Sequence, residues 1–377
     1  MSQPDHPLVL IVDDHPEEAQ PLKLALETTQ KAKVVVVHPS DVQLKDLTEA
    51  DLVLVDYMID AWPDRDNISS ISLKPPDGLA LASVLRQHVQ KQSEKQSPTA
   101  FAILTGQMEK LAHPLPSDLP PNILARLVNL DWVFDKGVVT NCGQIIELAA
   151  AVGCLPPQWP QQGDKDSWQT LRRLLAVDPN PENMIHLTED IEKCQPPIHE
   201  LSKWSHGLAV VRWMSQRILP YPCFLYDVQY LAARLRLDPR SLREALADGS
   251  PLRKSLSGFE YRGILSQFDG PRWWRSLVEF HLWNVSKGES ANISHLRKMV
   301  CDAAGVPIKA SEPPENPVVC VDRHYRPLKF SSMSEAVRIQ PDDWPVYADP
   351  AWTTIELAKS QSNLAGVVVS EHRERIE

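Results

Sequence analysis

The sequence predicts an α/β fold at its amino-terminal end: a five-stranded, doubly wound parallel sheet, followed by a mainly α-helical second region with a small α+β part at the carboxyl terminus. Three observations lead there. Short apolar runs alternate with segments of helical period, the rhythm of strands and crossover helices. Those runs are apolar throughout, as strands are when both faces of a sheet are covered. After Cys154 a Pro-rich stretch breaks the rhythm, and helical spacing takes over.

Taken in order, Leu8–Val12 is the first strand and Glu17–Thr29 the first helix. Val34–Val37, the helical Asp41–Leu47 and the strand Leu52–Val55 follow. Gly78–Val89 has helical period, Ala100–Leu104 and Trp132–Phe134 are the fourth and fifth strands, and Gln144–Val152 closes the unit as a helix. The expected division is residues 1–154 as one domain, 155–166 as a linker, 167–305 as a mainly helical domain and 306–377 as a small α+β unit. In the helical part, Asp166 and Ser167 cap a helix running to Val177, with Pro181–Cys194 and Ile198–Ile218 after it. Val318–Val321 and Gly366–Ser370 read as strands of the last unit.

Composition narrows the function. The chain has 377 residues, 43% hydrophobic and 23% charged, and no apolar run near the ~20 residues of a membrane helix. Its start lacks the basic segment and long apolar stretch of a secretory signal, so a cytoplasmic protein without a membrane anchor is expected. The six scattered cysteines contain no Cys-x-x-Cys pair and read as reduced, mostly structural thiols. Charge is uneven: residues 1–155 carry 12 Lys/Arg against 21 Asp/Glu, whereas residues 201–300 carry 15 against 8. The basic stretch suits an acidic partner or nucleic acid, or is a solvated face.

In an open α/β sheet, ligands bind beyond the carboxyl ends of the strands, so the residues that end each run belong together. They are Asp13 and Asp14 after the first run, Asp56 after the third, Thr105 after the fourth and Lys136 after the fifth. Three converging carboxylates repel one another unless a hard divalent cation shares their oxygens, and Mg2+ is the ion that suits few carboxylates with room for water and a phosphoryl oxygen. Phosphoryl transfer to a carboxylate needs positive charge and donors around the transferred oxygens, which Lys136 and Thr105 supply. A single acidic residue after a strand is ordinarily a turn residue; five chemically matched residues at four of the five strand ends are not.

At Val12-Asp13-Asp14-His15, Leu52 to Met58, Leu104-Thr105-Gly106 and Asp135-Lys136-Gly137 the sequence resembles the response-regulator receiver family, over about the first 150 residues. The resemblance implies a CheY-like fold, Asp56 as phosphoacceptor, and Mg2+ held by Asp13, Asp14 and Asp56 with the Met58 main-chain carbonyl. It implies phosphotransfer from a sensor histidine kinase or phosphotransfer protein, with no enzymatic chemistry beyond phosphotransfer at Asp56 and its autodephosphorylation. The sequence departs from the family in four places. An insertion, Ala61–Pro76, separates the phosphoacceptor from Asp77-Gly78 and either covers the site or is a surface loop. Gln107–Asn122 is expanded and contains four prolines. Gly137 replaces the usual proline after the lysine, and Trp132 and Phe134 flank the place of the switch aromatic at Val133.

The second region resembles no family. Val228–Leu235 and Ser241–Leu246 form two helical stretches around Leu237-Asp238-Pro239, a spacing that suits a helix-turn-helix at residues 227–246 with Arg240 and Arg243 towards DNA. The turn lacks its common glycine. Trp204, Trp213, Trp273, Trp274 and Trp283 lie in the basic stretch, where aromatics beside Arg272 and Arg275 stack on bases, anchor an interface or fill a core. The reading is a two-component response regulator controlling a carboxyl-terminal module that binds an unidentified protein partner. Its alternatives are a DNA-binding transcription regulator, a phosphate sink or relay without output, and a regulator of an unrecognised carboxyl-terminal enzyme.

Overall fold

Apolar runs buried on both faces become one parallel sheet, and the computed structural model builds it from five strands. It describes residues 6–62, 74–91, 98–112, 119–136, 141–160, 164–201, 207–247, 249–289, 291–313 and 317–377. In chain order the first elements are β1 (Leu8–Val12), α1 (Gln20–Thr28), β2 (Lys33–Val37), α2 (Leu44–Glu49), β3 (Leu52–Asp56) and α3 (Gly78–Gln90). Next come β4 (Ala100–Thr105), α4 (Met108–Ala112), α5 (Pro121–Leu127), β5 (Trp132–Asp135), α6 (Asn141–Gly153) and α7 (Asp164–Leu174). The chain continues with α8 (Pro181–Lys193), α9 (Ile198–Leu201), α10 (Leu208–Trp213), β6 (Leu225–Tyr226), α11 (Val228–Leu235), α12 (Pro239–Ala245) and α13 (Pro251–Leu256). It ends with β7 (Trp273–Trp274), α14 (Arg275–Val285), α15 (Ile293–Ala304), β8 (Pro317–Val321), β9 (Pro327–Ser332), β10 (Ala336–Ile339), β11 (Ala351–Thr354), α16 (Ile355–Ser360) and α17 (Ser362–Gly366).

Two compact units emerge. The first comprises residues 1–176, 196–217 and 263–269; the second comprises 177–195, 218–262 and 270–377. In the first, the strand order is β2-β1-β3-β4-β5, all parallel. Leu10, Val12, Val53, Val55, Phe101, Ile103 and Val133 point to one face, where Leu47, Leu81, Leu85 and Leu124 of α2, α3 and α5 cover them. Val9, Ile11, Leu52, Leu54, Trp132 and Phe134 are also buried, as are Leu26 of α1 and Ile145, Leu148 and Val152 of α6. Alternate strand residues thus fill two cores, and the sheet is an α/β sheet with flanking helices.

The same unit takes in chain from beyond Cys154. Leu155 and Trp159, inside the stretch read as a linker, are buried, and the Trp159 indole N–H donates to Ser167 Oγ at 3.0 Å. Arg212 of α10 donates to Asp131 Oδ1 at 2.6 Å and to Asn129 Oδ1 at 2.8 Å. Gln216 donates to the carbonyls of Leu130 and Asp131, and Phe268 meets the Trp132 ring edge-on at a centroid distance of 4.9 Å. Asp131 is 1% exposed, so its carboxylate needs the partners it has, Arg212 and the Phe101 N–H.

The second unit joins helices to a small sheet. Its helical core joins Leu231, Leu235, Leu242, Leu252, Val278, Leu296 and Val300, while β10-β11-β8-β9 forms a small sheet over a separate core. Gly366–Ser370 is not a strand. The Val367 and Val368 N–H groups bond back to the Leu364 and Ala365 carbonyls, so α17 ends in a turn that buries Val368, and residues 370–375 form a 3-10 helix. The single helix expected over 198–218 is instead α9 and α10, with a π-type turn over Met214–Ile218, and residues 202–206 between them are outside the described part. The helix expected to reach Val177 stops at Leu174, with Ala176 in the left-handed region at φ 50°. The first helix starts at Gln20 rather than Glu17, with Pro21 in the first turn, where its missing N–H costs no bond. Among the described residues, no helix is long and apolar enough to cross a membrane.

Candidate functional site

The order β2-β1-β3 reverses chain direction across the sheet at β1, which opens a crevice at the carboxyl ends of β1 and β3. Asp13 and Asp14 follow β1 there, and Asp56 is the last residue of β3. All three are buried, and one carboxylate oxygen from each lies within 4.8 Å of the others. The Lys136 ammonium sits 3.0 Å from Asp56 Oδ1 and 3.3 Å from Asp13 Oδ2. Lys136 is carried by the end of β5, where its N–H donates to the Thr105 carbonyl at 2.8 Å. Thr105 ends β4, one residue beyond Leu104, the register partner of Asp56. Its Oγ accepts from the Gln107 N–H at 2.9 Å, leaving the hydroxyl proton to donate.

The carboxylates are individually held. Asp13 Oδ1 accepts from the His15 N–H at 2.9 Å, and Asp14 Oδ2 accepts from the Ala61 N–H at 2.5 Å. Asp14 Oδ1 is buried with no hydrogen-bond partner among the described residues. A buried anionic oxygen left without a donor is costly, and a cation shared with Asp13 and Asp56 removes that cost, so the donor set fits a hard divalent ion such as Mg2+. Burial pushes the Asp56 carboxyl above its usual range; Lys136 opposes the shift and Asp13 adds to it. Burial acts to lower the Lys136 ammonium, but Asp56 and Asp13 outweigh it and hold the group above its ordinary value. The cluster is therefore acidic overall, with one cation already in it.

Helix α3 closes the site from the other side. Gly78 begins it, and a Cβ at Gly78 would stand 2.0 Å from the Asp56 carbonyl oxygen and 2.8 Å from Tyr57 Cα. Only glycine permits that approach. The Gly78 N–H donates to the Tyr57 carbonyl at 2.9 Å, and Asp77 caps the helix through the Ala80 N–H. Met58 follows Asp56 in the loop, half-buried. Of the insertion, Ala61, Trp62 and residues 74–76 are described; Trp62 packs on the core and Lys74 lies 5.5 Å over its ring. Residues 63–73, Gly137, Trp204 and His206 lie outside the described residues.

Sequence reasoning missed the Ala61 N–H on Asp14 because a main-chain donor has no residue type to read. It also missed Arg212 as a partner of Asp131, since nothing local links residues so far apart. In the second unit, Trp273, Trp274 and Arg272 are buried, Arg272 donating to the Leu219 carbonyl, and the half-buried Arg275 donates to Asp349, so the tryptophan pair is interior structure. Trp213 is buried with Leu208 and Val211, whereas Trp283 is exposed.

No protein-family model and no curated protein matches the chain. Among solved structures, it is similar to a CheY-like response-regulator receiver domain from Methylobacillus flagellatus, at 20% identity, covering 38% of this chain and 98% of that one, with a TM-score of 0.26. It is similar to RcsB of Salmonella enterica serovar Typhimurium bound to promoter rprA with the phosphomimetic BeF3−, at 16% identity, covering 52% and 86%, with a TM-score of 0.25. A further likeness is to the Salmonella typhimurium RcsB response regulator described for conformational dynamism in DNA interaction, at 14% identity, covering 80% and 94%, with a TM-score of 0.26.

Proposed function

We propose that the chain is a two-component response regulator that accepts a phosphoryl group on Asp56. The observation that carries this reading is the Lys136 ammonium bridging Asp13 and Asp56 inside a three-carboxylate cluster at the switch point of a parallel sheet. Asp13, Asp14 and Asp56, with the Met58 carbonyl, would hold Mg2+, which when bound neutralises the carboxylates and takes up charge on the transferred group. In the transfer, an Asp56 carboxylate oxygen attacks phosphorus as the bond to the donor breaks. With a phosphohistidine donor that bond is P–N, and the leaving imidazole takes a proton. Lys136 and the Thr105 hydroxyl donate to the transferred oxygens, which develop negative charge outside the carboxylate. Asp14, held by Ala61, stays oriented throughout.

The donor partner is a sensor histidine kinase or phosphotransfer protein, and the second unit is the output module, which binds another protein. The reading is tested by incubating the full chain with acetyl phosphate and comparing wild type with Asp56→Asn, with and without Mg2+. Incorporation that needs both Mg2+ and Asp56 is expected; equal incorporation by the variant would refute it.

A DNA-binding output is favoured by one observation. Helices α11 and α12 are joined through Arg236 in the left-handed region at φ 56°, the conformation that glycine commonly supplies in a helix-turn-helix, and Arg240 and Arg243 on α12 are exposed. Duplex binding by the full chain that weakens steeply with salt and is lost in the Arg240→Ala/Arg243→Ala variant would select this output over a protein partner.

A further inference from the structure

Two carboxylates of the cluster are oriented by different means. Asp13 is held from its own loop, by the His15 N–H two residues on, whereas Asp14 is held across the chain, by the Ala61 N–H at 2.5 Å. Ala61 opens the insertion before α3 and is itself exposed, so its neighbours supply the anchorage. Ile59, on one side, is 1% exposed in the core under α2, α3 and α5; the half-buried Trp62, on the other, packs against the same core. The far end of the stretch returns to both places. The Lys74 ammonium stands 5.5 Å from the Trp62 ring centroid, and the Gly78 N–H closes on the Tyr57 carbonyl at 2.9 Å. A ring packed on the core and attracted to a cation is held more firmly than by apolar contact alone.

We propose that Trp62 is a positioning residue for the divalent cation: anchored on the core beside Lys74, it fixes the Ala61 N–H on Asp14 Oδ2 and so leaves Oδ1 for the ion. The inference rests on the reading of Asp13, Asp14 and Asp56 as a Mg2+ site. A carboxylate with one oxygen already hydrogen-bonded has given up rotamer freedom before the ion arrives, so less is lost on binding. Without that bond the ion itself must order the side chain. Linkage makes the effect reciprocal: an ion that holds Asp14 also holds the Ala61 N–H and the segment that carries it. The start of the insertion thereby belongs to the metal site, although neither Ala61 nor Trp62 offers the ion a side-chain ligand.

The test measures Mg2+ binding to the full chain by calorimetric titration, for wild type, Trp62→Ala, Trp62→Phe, Ala61→Pro and the Trp62→Ala/Ala61→Pro double variant. Trp62→Ala should weaken binding by about 10-fold, as the loss of support behind a metal ligand does. Trp62→Phe, which keeps a ring on the core, should recover most of that loss. A proline at position 61 has no N–H to donate, so Ala61→Pro should show the same weakening, and Trp62→Ala added to it should cost nothing more. Amide exchange over residues 59–62 of wild type should slow when Mg2+ saturates the site. Equal affinity of wild type and Trp62→Ala, no recovery in Trp62→Phe, or losses that multiply in the double variant would overturn the positioning role and leave the metal site standing. Wild type that takes up no Mg2+ would overturn both. Wild-type exchange at 59–62 that ignores bound Mg2+ would also overturn the role, even if the alanine variant does not fold.

Discussion

Lys136 separates two carboxylates that would otherwise face each other, and each residue of the cluster is specified by what it touches. Asp14 offers its free oxygen only because Ala61 holds the other one. Asp14→Asn keeps the volume but removes the carboxylate's negative charge, so Mg2+ affinity should fall by about 10-fold or more, measured by calorimetric titration. Asp56 gives a pH prediction. Burial raises its carboxyl above the ordinary value of 3.8, so its contribution to stability is complete below that value and is lost as pH rises through the raised one. Asp56→Asn is neutral at every pH. It should be more stable than wild type at neutral pH in metal-free buffer, with the gap closing as pH falls towards 3.8, as followed by urea unfolding at a series of pH values. A gap that does not change with pH would contradict this assignment.

The elements that position the site were legible in unequal measure. β1, β3, β4 and β5 announce themselves as apolar runs because both their faces are buried, and the residues ending them could be collected from the sequence alone. Helix α3 is legible from Asp77-Gly78, but the reason for the glycine is not, since the Asp56 carbonyl lies beyond an insertion in the chain. Gly78→Ala forces a Cβ into backbone that has no flexible end to yield. We expect a loss of about 1–3 kcal/mol or more in unfolding free energy and slower labelling at Asp56, because the helix and the strand end must part. Unchanged stability would mean that α3 starts elsewhere. The false strand at Gly366–Ser370 has the opposite origin: three valines read as extended chain, but two of their N–H groups are taken by the preceding helical turn. Local propensity lost to a local bond that only the three-dimensional chain path permits.

At the scale of the molecule, the α/β unit is not finished at Cys154. Arg212 and Gln216 bond to an almost fully buried Asp131, and Phe268 meets Trp132. These contacts join residues far apart in sequence, so periodicity carries no trace of them. A protein ending at Cys154 keeps the Phe101 N–H on Asp131 but loses Arg212 and Gln216 from it, and loses the Phe268 cover of Trp132. Its β5 and α6 amides should exchange faster than in the full chain, and equal exchange would show that the first 154 residues are self-sufficient. Lys136 directly follows β5, and Arg212 and Gln216 hold the residues just before it, so β5 links the carboxylate cluster to these later segments of the α/β unit. The proposed function requires that Asp56 form an acyl phosphate. The most direct measurement is to treat the full chain with acetyl phosphate and Mg2+, reduce it with borohydride, and map the peptide spanning Leu52–Met58. Conversion of Asp56 to homoserine is the predicted result; phosphorylation found at another residue, or none under these conditions, would contradict it.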